Sequence, residues 1–487
     1  MEKRPSLWVS FIPIITLMVI LTVAIKLFGN DALSGATQIA LFAGTAVCSA
    51  IAILLYRIPW STLEDSICNN IRHVGSGIFI LLLIGAIAGT WMVSGIVPTF
   101  IYYGLQILSP TFFLFSTSII CAVVSVMTGS SWTTIATVGV AFIGIGNALG
   151  FSAGWTAGAI ISGAYFGDKI SPLSDTTVLA STICNVPLFK HIRYMMITTI
   201  PSFVISLIIF LIAGFVLPHA GITSVMEVAD ALKQTFNLSP LLLIVPALTA
   251  LLIIRRTPPM ITLFCAALMA AVALIIFQPQ LLSQIGGEGG IRPIVAARAF
   301  FISLYGSTAI TTGNPDLDVL VSTSGMAGML DTIWLIICAV GFGGAMTGSG
   351  MLQRIISSFA RRLNRTTSLV ASTTGAGLLF NICTADQYLS IILTGNLFKD
   401  VYKQTGHEER LLSRTTEDAV TVTSVLFPWS SCGMTQATVL GVATLTYLPY
   451  CFFNILSPIM TITVAALGIK IFRNKPATDE QEPANVE

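Results

Sequence analysis

The chain has 487 residues, of which 54% are hydrophobic and only 9% are Asp, Glu, Lys or Arg. A water-soluble domain carries about 25% charged residues, so a mean hydropathy of +0.87 excludes a soluble fold and makes lipid the solvent for most of the chain. The net charge of +2 points to no nucleic-acid or acidic partner.

The chain opens with Met-Glu-Lys-Arg and then runs apolar over 7–28. That run is longer than a signal-peptide core and has no small-residue cleavage site, so it reads as a retained first helix. Apolar segments follow at 35–56, 75–97, 111–127, 132–150, 153–166, 194–217, 238–254, 259–277, 331–350, 367–382, 388–398, 419–428, 433–446 and 448–471. Several are too short to cross a bilayer alone. No Asp, Glu, Lys or Arg occurs between Arg72 and Asp168. Basic residues gather instead at 57–72, 190–193, 255–256, 354–365 and 399–414. The tail after Arg473 is polar and is expected to be disordered.

The nine cysteines never fall in a CxxC spacing, and the four histidines never fall at metal-ligand spacing. A disulfide framework, a zinc site and a zinc membrane protease are therefore not expected. No nucleophile cluster or cofactor motif points to an enzyme.

The chain contains an internal repeat. Gly85-Ala-Ile-Ala-Gly-Thr-Trp-Met-Val-Ser-Gly95 resembles Val340-Gly-Phe-Gly-Gly-Ala-Met-Thr-Gly-Ser-Gly350. Thr128-Gly-Ser-Ser-Trp132 resembles Thr384-Ala-Asp-Gln-Tyr388. Asp168-Lys-Ile-Ser-Pro-Leu-Ser174 resembles Asp418-Ala-Val-Thr-Val-Thr-Ser424. The offsets are 255, 256 and 250. The connection 96–111 has no charge, whereas its counterpart 351–367 holds Arg354, Arg361, Arg362 and Arg365. Basic loops stay cytoplasmic, so the two halves are expected to be inverted, as in secondary transporters.

In each half the segment 111–139 or 367–395 must enter and return, turning at Thr128–Ser131 or Thr384–Gln387. Both read as helical hairpins, re-entrant ones with tips at the midplane, where irregular backbone must line a cavity or be buried in protein. The expected fold is an all-α polytopic membrane protein with inverted structural repeats, two helical hairpins and two broken transmembrane helices. The expected organisation is N-terminal helices and a linker over 1–73 and a first repeat over 74–190. Connecting scaffold helices over 191–330 and a second repeat over 331–446 follow. A last helix with the tail occupies 447–487.

The first candidate site is Gly167-Asp-Lys-Ile-Ser-Pro-Leu-Ser-Asp-Thr-Thr177. Pro172 breaks the helix between Asp168 and Asp175, and Ser171, Ser174 and Thr176 surround the break. Hard cations take oxygen ligands, which unwound carbonyls, hydroxyls and a carboxylate supply. A desolvated carboxylate can also hold a proton. The simpler alternative is an interfacial loop, favoured for Asp168 by the adjacent Lys169. The second candidate is Glu417-Asp418 with Thr421, Pro428 and Ser430. Here the alternative is helix capping after Thr415 or Thr416. The third is Asp386 at the second hairpin tip, beside Thr384 and Gln387, with Ser130 as its counterpart in the first tip. A charge between two apolar arms is functional by default. Sodium is expected at Asp175, Ser174 and Asp386. Asn314–Asp318 reads as a polar turn, and Arg298 as a cation that snorkels to the interface.

Residues 167–177 resemble the signature of the NhaC sodium/proton antiporter family. Thr384–Ser390, Glu417-Asp418, Phe427-Pro-Trp429 and Cys432-Gly433 resemble its second-half signatures, and the similarity runs from about 10 to 470. The resemblance implies an ion-transporter plan with a scaffold and a transport domain, often dimeric, in the cell (inner) membrane. It implies no cofactor, with Na+ and H+ as transported or coupling ions and lipid and small cations as partners. The charge pattern places both termini in the cytoplasm. Some relatives exchange malate for sodium and lactate, and others carry amino acids, so an organic anion or amino acid stays open as substrate. Ser430 and Ser431 stand where many sodium exchangers have Asn-Thr.

Overall fold

In lipid, backbone groups must bond to one another, and long apolar runs do so as helices. The computed structural model describes residues 5–28, 35–218, 222–255, 257–287, 293–312, 318, 321–359 and 365–473. Among these residues it is all-helical, apart from the isolated bridges Thr308–Thr323 and His407–Arg473. The Asn314–Leu317 part of the expected turn, Arg361, Arg362 and the tail beyond Arg473 lie outside the described residues. The helices used below are α1 (Leu7–Phe28), α2 (Ala36–Tyr56), α3 (Trp60–Val93), α4 (Ile96–Ile107) and α5 (Phe113–Thr128). They continue with α6 (Ser131–Ala148), α7 (Ala153–Ile170), α8 (Asp175–Ile183), α9 (Leu188–Val216), α10 (Ile222–Thr235), α11 (Ile244–Ile254), α12 (Pro259–Phe277) and α13 (Pro293–Tyr305). Then come α14 (Leu330–Gly348), α15 (Met351–Phe359), α16 (Thr366–Thr384), α17 (Gln387–Gln404), α18 (Glu409–Thr416), α19 (Ser431–Leu440) and α20 (Phe452–Ala466). Among the described residues, eight helices are long and apolar enough to cross a membrane, or up to ten if each of two bent pairs is one span.

Contacts sort the helix ends into two sets. Ser6 donates to Tyr56 Oη, Ser66 to the Gly344 carbonyl, and Glu408 N–H to the Phe472 carbonyl. Thr366 meets His407 Nε2 at 2.9 Å, and Lys190 pairs with Glu408 at 3.4 Å. The basic stretches around 57–72, 190–193 and 399–410 therefore share one end of the bundle with residues 470–473. Outside the spans, burial first and then the nearby Arg473 charge hold the His407 imidazole below its ordinary value. At the opposite end, Gln278 donates to the Ser94 and Asn237 carbonyls, and Gly214 rests on Thr111.

This frame gives each hairpin a direction. The pair α5–α6 enters from the sparsely charged end and returns to it. The pair α16–α17 enters from the basic end, where Thr366 meets His407. The broken helix α7–α8 runs toward the basic end, and α18–α19 runs away from it. The helices α3 and α14 both stop at Ser-Gly, with Gly95 at φ 84° and Gly350 at φ 69°.

One expectation differs. Residues 57–72 read as a charged linker, but α3 is one helix of 34 residues. At 1.5 Å per residue this is about 51 Å, longer than the ~30 Å hydrocarbon core. No Gly or Pro occurs between Trp60 and Val74 to stop it, so Glu64, Asp65 and Arg72 ride on its projecting turns. The domain boundary expected after residue 73 falls inside this helix.

Close backbone approach holds the first hairpin to its broken helix. A Cβ on Gly163 would lie 2.1 Å from the Ser118 carbonyl oxygen, and one on Gly167 would lie 2.2 Å from that of Ala122. Small residues are what bring helices together where lipid gives no hydrophobic drive between them. Gly163→Ala is therefore expected to destabilise the protein by about 1–3 kcal/mol, the usual overpacking penalty. A lowered unfolding midpoint in detergent checks this, and an unchanged midpoint would contradict the close approach.

Candidate functional site

The first break is built by local chemistry. Pro172 cannot donate a backbone hydrogen bond, and α7 ends at Ser171 in extended backbone. The freed polar groups find hydroxyls. Thr177 Oγ1 donates to the Lys169 carbonyl at 3.1 Å, and Ser171 Oγ to the Val126 carbonyl at 2.8 Å. Ser174 then caps α8 by accepting from Thr177 N–H at 3.4 Å, and its Oγ meets Thr176 Oγ1 at 3.0 Å. Asp175 stands in the first turn of α8 and is exposed.

The first hairpin tip rests on this break. Gly129 takes the left-handed conformation at φ 68°, and a Cβ there would lie 2.6 Å from Leu173 Cβ. Ser130 caps α6 by accepting from Thr133 N–H at 3.2 Å. Ser131 donates its N–H and its hydroxyl to Asp168 Oδ2 at 3.2 and 2.7 Å. A buried carboxylate is thus held at a helix N-terminus, where the dipole favours negative charge.

The second tip is made the same way. Ala385 sits at φ 55°, a conformation disfavoured for a residue with a Cβ. Asp386 caps α17, its Oδ1 accepting from Leu389 N–H at 2.9 Å. Thr384 Oγ1 donates to the Asp386 carbonyl at 3.1 Å. Ser431 N–H donates to the Ala385 carbonyl at 2.7 Å, and Ser431 Oγ approaches Asp386 Oδ2 at 3.4 Å. Ser424 donates to Gln387 Oε1 at 3.3 Å. Ser430 caps α19 by accepting from Gly433 N–H at 2.9 Å.

Both tips and the first break face one cavity of about 290 Å³. Its carboxylates are Asp168, Asp175 and Asp386, and Ser130, Ser174, Thr176 and Gln387 also reach it. The facing wall is the middle of α3, around Gly77, with the turn Thr257–Pro259 between α11 and α12. No Lys, Arg or His lines the cavity among the described residues. Nor do three His, Cys, Asp or Glu side chains converge on a single metal position among them. The lining therefore presents carboxylate, hydroxyl and carbonyl oxygens, the ligand types that hard cations take.

The other sequence candidates lie behind the cavity wall. Ser171, Thr384 and Ser430 support the breaks and tips through the bonds above. Asp418 does not face the cavity. It pairs with Lys169, which also donates to Ser457 Oγ at 3.2 Å, and its Oδ2 accepts from Thr198 Oγ1 at 2.8 Å. Both side chains of the ion pair are fully buried, so Lys169 is no solvated loop residue. Glu417 and Thr421 are also buried away from the cavity, in a π-helical segment Glu417–Thr421. Neither acid begins a helix, because this one starts at Glu409. Arg298 is exposed on α13 and reaches no site carboxylate.

The pairing of the two breaks is also corrected. Matching Asp168 with Asp418 gave an offset of 250. The capping serines Ser174 and Ser430 differ by 430 − 174 = 256, and the capping tip residues Ser130 and Asp386 by 386 − 130 = 256. On that register Pro172 matches Pro428, Asp168 matches Ser424, and Asp175 matches Ser431. Sequence reasoning missed Ser131 as a partner of Asp168, although it stands in the tip motif. It had no signal for the α3 wall.

An all-helical bundle of long apolar helices is that of a multi-pass membrane protein. The chain belongs to the Na+/H+ antiporter family, whose model matches residues 6–183 and 163–469. It is 38% identical over 438 residues to the Na+/H+ antiporter NhaC of Alkalihalophilus pseudofirmus, covering 89% of this chain and 92% of that one. It is 36% identical to the malate-2H+/Na+-lactate antiporter of Bacillus subtilis, over 91% of this chain and 92% of that one. It is 35% identical to the arginine/ornithine antiporter ArcD of Halobacterium salinarum, over 99% of this chain and 96% of that one.

Proposed function

We propose that the chain exchanges Na+ or Li+ for H+ by alternating access, with Asp168, Asp175 and Asp386 taking up cation and proton in turn. One observation carries this reading. Three carboxylates face one cavity, and no cationic side chain does among its described walls. Asp168 and Asp386 are buried, and taking a carboxylate out of water penalises its charge, so a proton or a metal cation must compensate it. Hydroxyls and carbonyls at the break complete an oxygen shell. The two hairpins, entering from opposite ends, are treated as inverted repeats around the site. The basic end is the cytoplasmic one, which puts residues 6 and 473 inside.

In inverted vesicles energised with a proton gradient, Na+ or Li+ is expected to dissipate the gradient, and Asp175→Asn to abolish that response. A gradient untouched by either ion would overturn the reading. The second reading is coupled transport of an amino acid. The cavity is larger than a sodium ion needs, and an arginine/ornithine antiporter is among the similar proteins. Carboxylates and no facing cation suit an amine or guanidinium group. They suit a dicarboxylate such as malate less well, because it lacks a counter-charge there. Uptake of arginine or ornithine with no response to sodium would decide for this second reading.

A further inference from the structure

At the basic end, sharing no lining residue with the first, lies another cavity of about 510 Å³. It is walled by the start of α9, by α18 and by the segment 470–472. Four cationic side chains line it: Lys190, Arg193, Arg410 and Lys470. Glu408 pairs with Arg410 at 2.7 Å and with Lys190 at 3.4 Å, and Glu409 stands beside them without an ion pair among the described residues. Arg193 and Lys470 are exposed and form no ion pair among the described residues.

Arg410 and the backbone of Lys470 are held in place. The Arg410 guanidinium stacks on Phe472 at 3.6 Å and lies 5.2 Å from the Tyr194 ring. Tyr194 Oη donates to the Lys470 carbonyl at 2.9 Å, which ties the chain's last described segment to α9. Behind Tyr194 stands Arg414, fully buried, with no hydrogen bond to its guanidinium among the described residues. Its charge adds to the positive potential behind the cavity. Basic pockets between transmembrane helices at the cytoplasmic surface recognise anionic lipid headgroups.

The surface leading out of the cavity selects lipid over a free anion. Phe189 at its rim is 75% exposed. Along α9 the exposed side chains continue as Ile200, Val204, Ile208 and Ile212, an apolar track toward the membrane interior. A phosphate in the cavity and acyl chains on this track are the two parts of one amphiphile. We propose that this cavity binds the phosphate of an anionic phospholipid, with its chains lying along α9.

The test uses the full chain in phosphatidylcholine vesicles with and without phosphatidylglycerol, reading the unfolding temperature and bound phosphatidylglycerol. The anionic lipid is expected to raise the unfolding temperature of the wild type. In the double variant Arg193→Gln, Lys470→Gln, binding is expected to weaken about thirtyfold, from roughly one contact energy per lost cation. Arg193→Lys with Lys470→Arg keeps both charges and is expected to retain the response, which separates lost charge from lost fold. A wild type indifferent to phosphatidylglycerol, or a double glutamine variant that responds in full, overturns the proposal. So does an equal shift from inorganic phosphate alone, which would make the cavity a free-anion site.

Discussion

Asp386→Asn is expected to reduce Na+-driven proton movement about ten- to a hundredfold while the protein folds normally. The expectation follows from the two jobs this side chain does. Its Oδ1 caps α17 by accepting from Leu389 N–H, and Asn caps a helix as well as Asp does. The hairpin tip therefore keeps its shape. The charge is lost, and with it the carboxylate that the second half brings to the cavity. A polar contact with a charged group is worth about 1.5–3 kcal/mol, a range that corresponds to about ten- to a hundredfold. Asp386→Ala removes the cap too and is expected to lower stability by a further ~1 kcal/mol. Transport and unfolding midpoint measured on both variants separate charge from cap. Unimpaired exchange by the Asp386→Asn variant would remove this residue from the mechanism.

The second large effect is structural. Lys169→Met is expected to destabilise the protein by about 3–5 kcal/mol, because it strands Asp418 without its counter-charge in a buried setting. Thr198 and Ser457 would still donate to Asp418, but two hydroxyls do not neutralise a carboxylate. The double variant Lys169→Met, Asp418→Leu is expected to recover most of the loss, since replacing a whole buried pair by apolar groups is often close to neutral. Unfolding midpoints of the two single variants and the double variant give the coupling. Additive effects would mean that the pair does not act as a unit.

Much of the site was legible in the sequence, for a physical reason. Membrane-depth carboxylates are few, and a Pro or Gly within an apolar run marks where the backbone leaves the helix. Pro172, Gly129 and Asp386 stood out on those grounds, and the structure gathers their neighbourhoods at one cavity. The fate of Asp418 was hidden because its partner Lys169 lies 249 residues away. Asp418 reads like Asp168 in its motif, and only tertiary packing tells a paired acid from one facing open space. The register of the two breaks went astray for a related reason. Like residue types were matched, whereas the shared features are a proline and a serine that caps the helix after it. The length of α3 was misread because charge was taken for a loop signal, though nothing in Trp60–Arg72 breaks a helix.

The lining of the cavity also has an electrical consequence. With three carboxylates and no cation on its described walls, the site's net charge is set by how many protons or metal ions it holds. Moving one elementary charge through 100 mV takes about 2.3 kcal/mol, comparable to the ion gradients themselves. On the proposed cycle, any negative charge left uncompensated moves through part of that voltage. The membrane potential then biases which side the cavity faces, and proton load sets how strongly that voltage is felt.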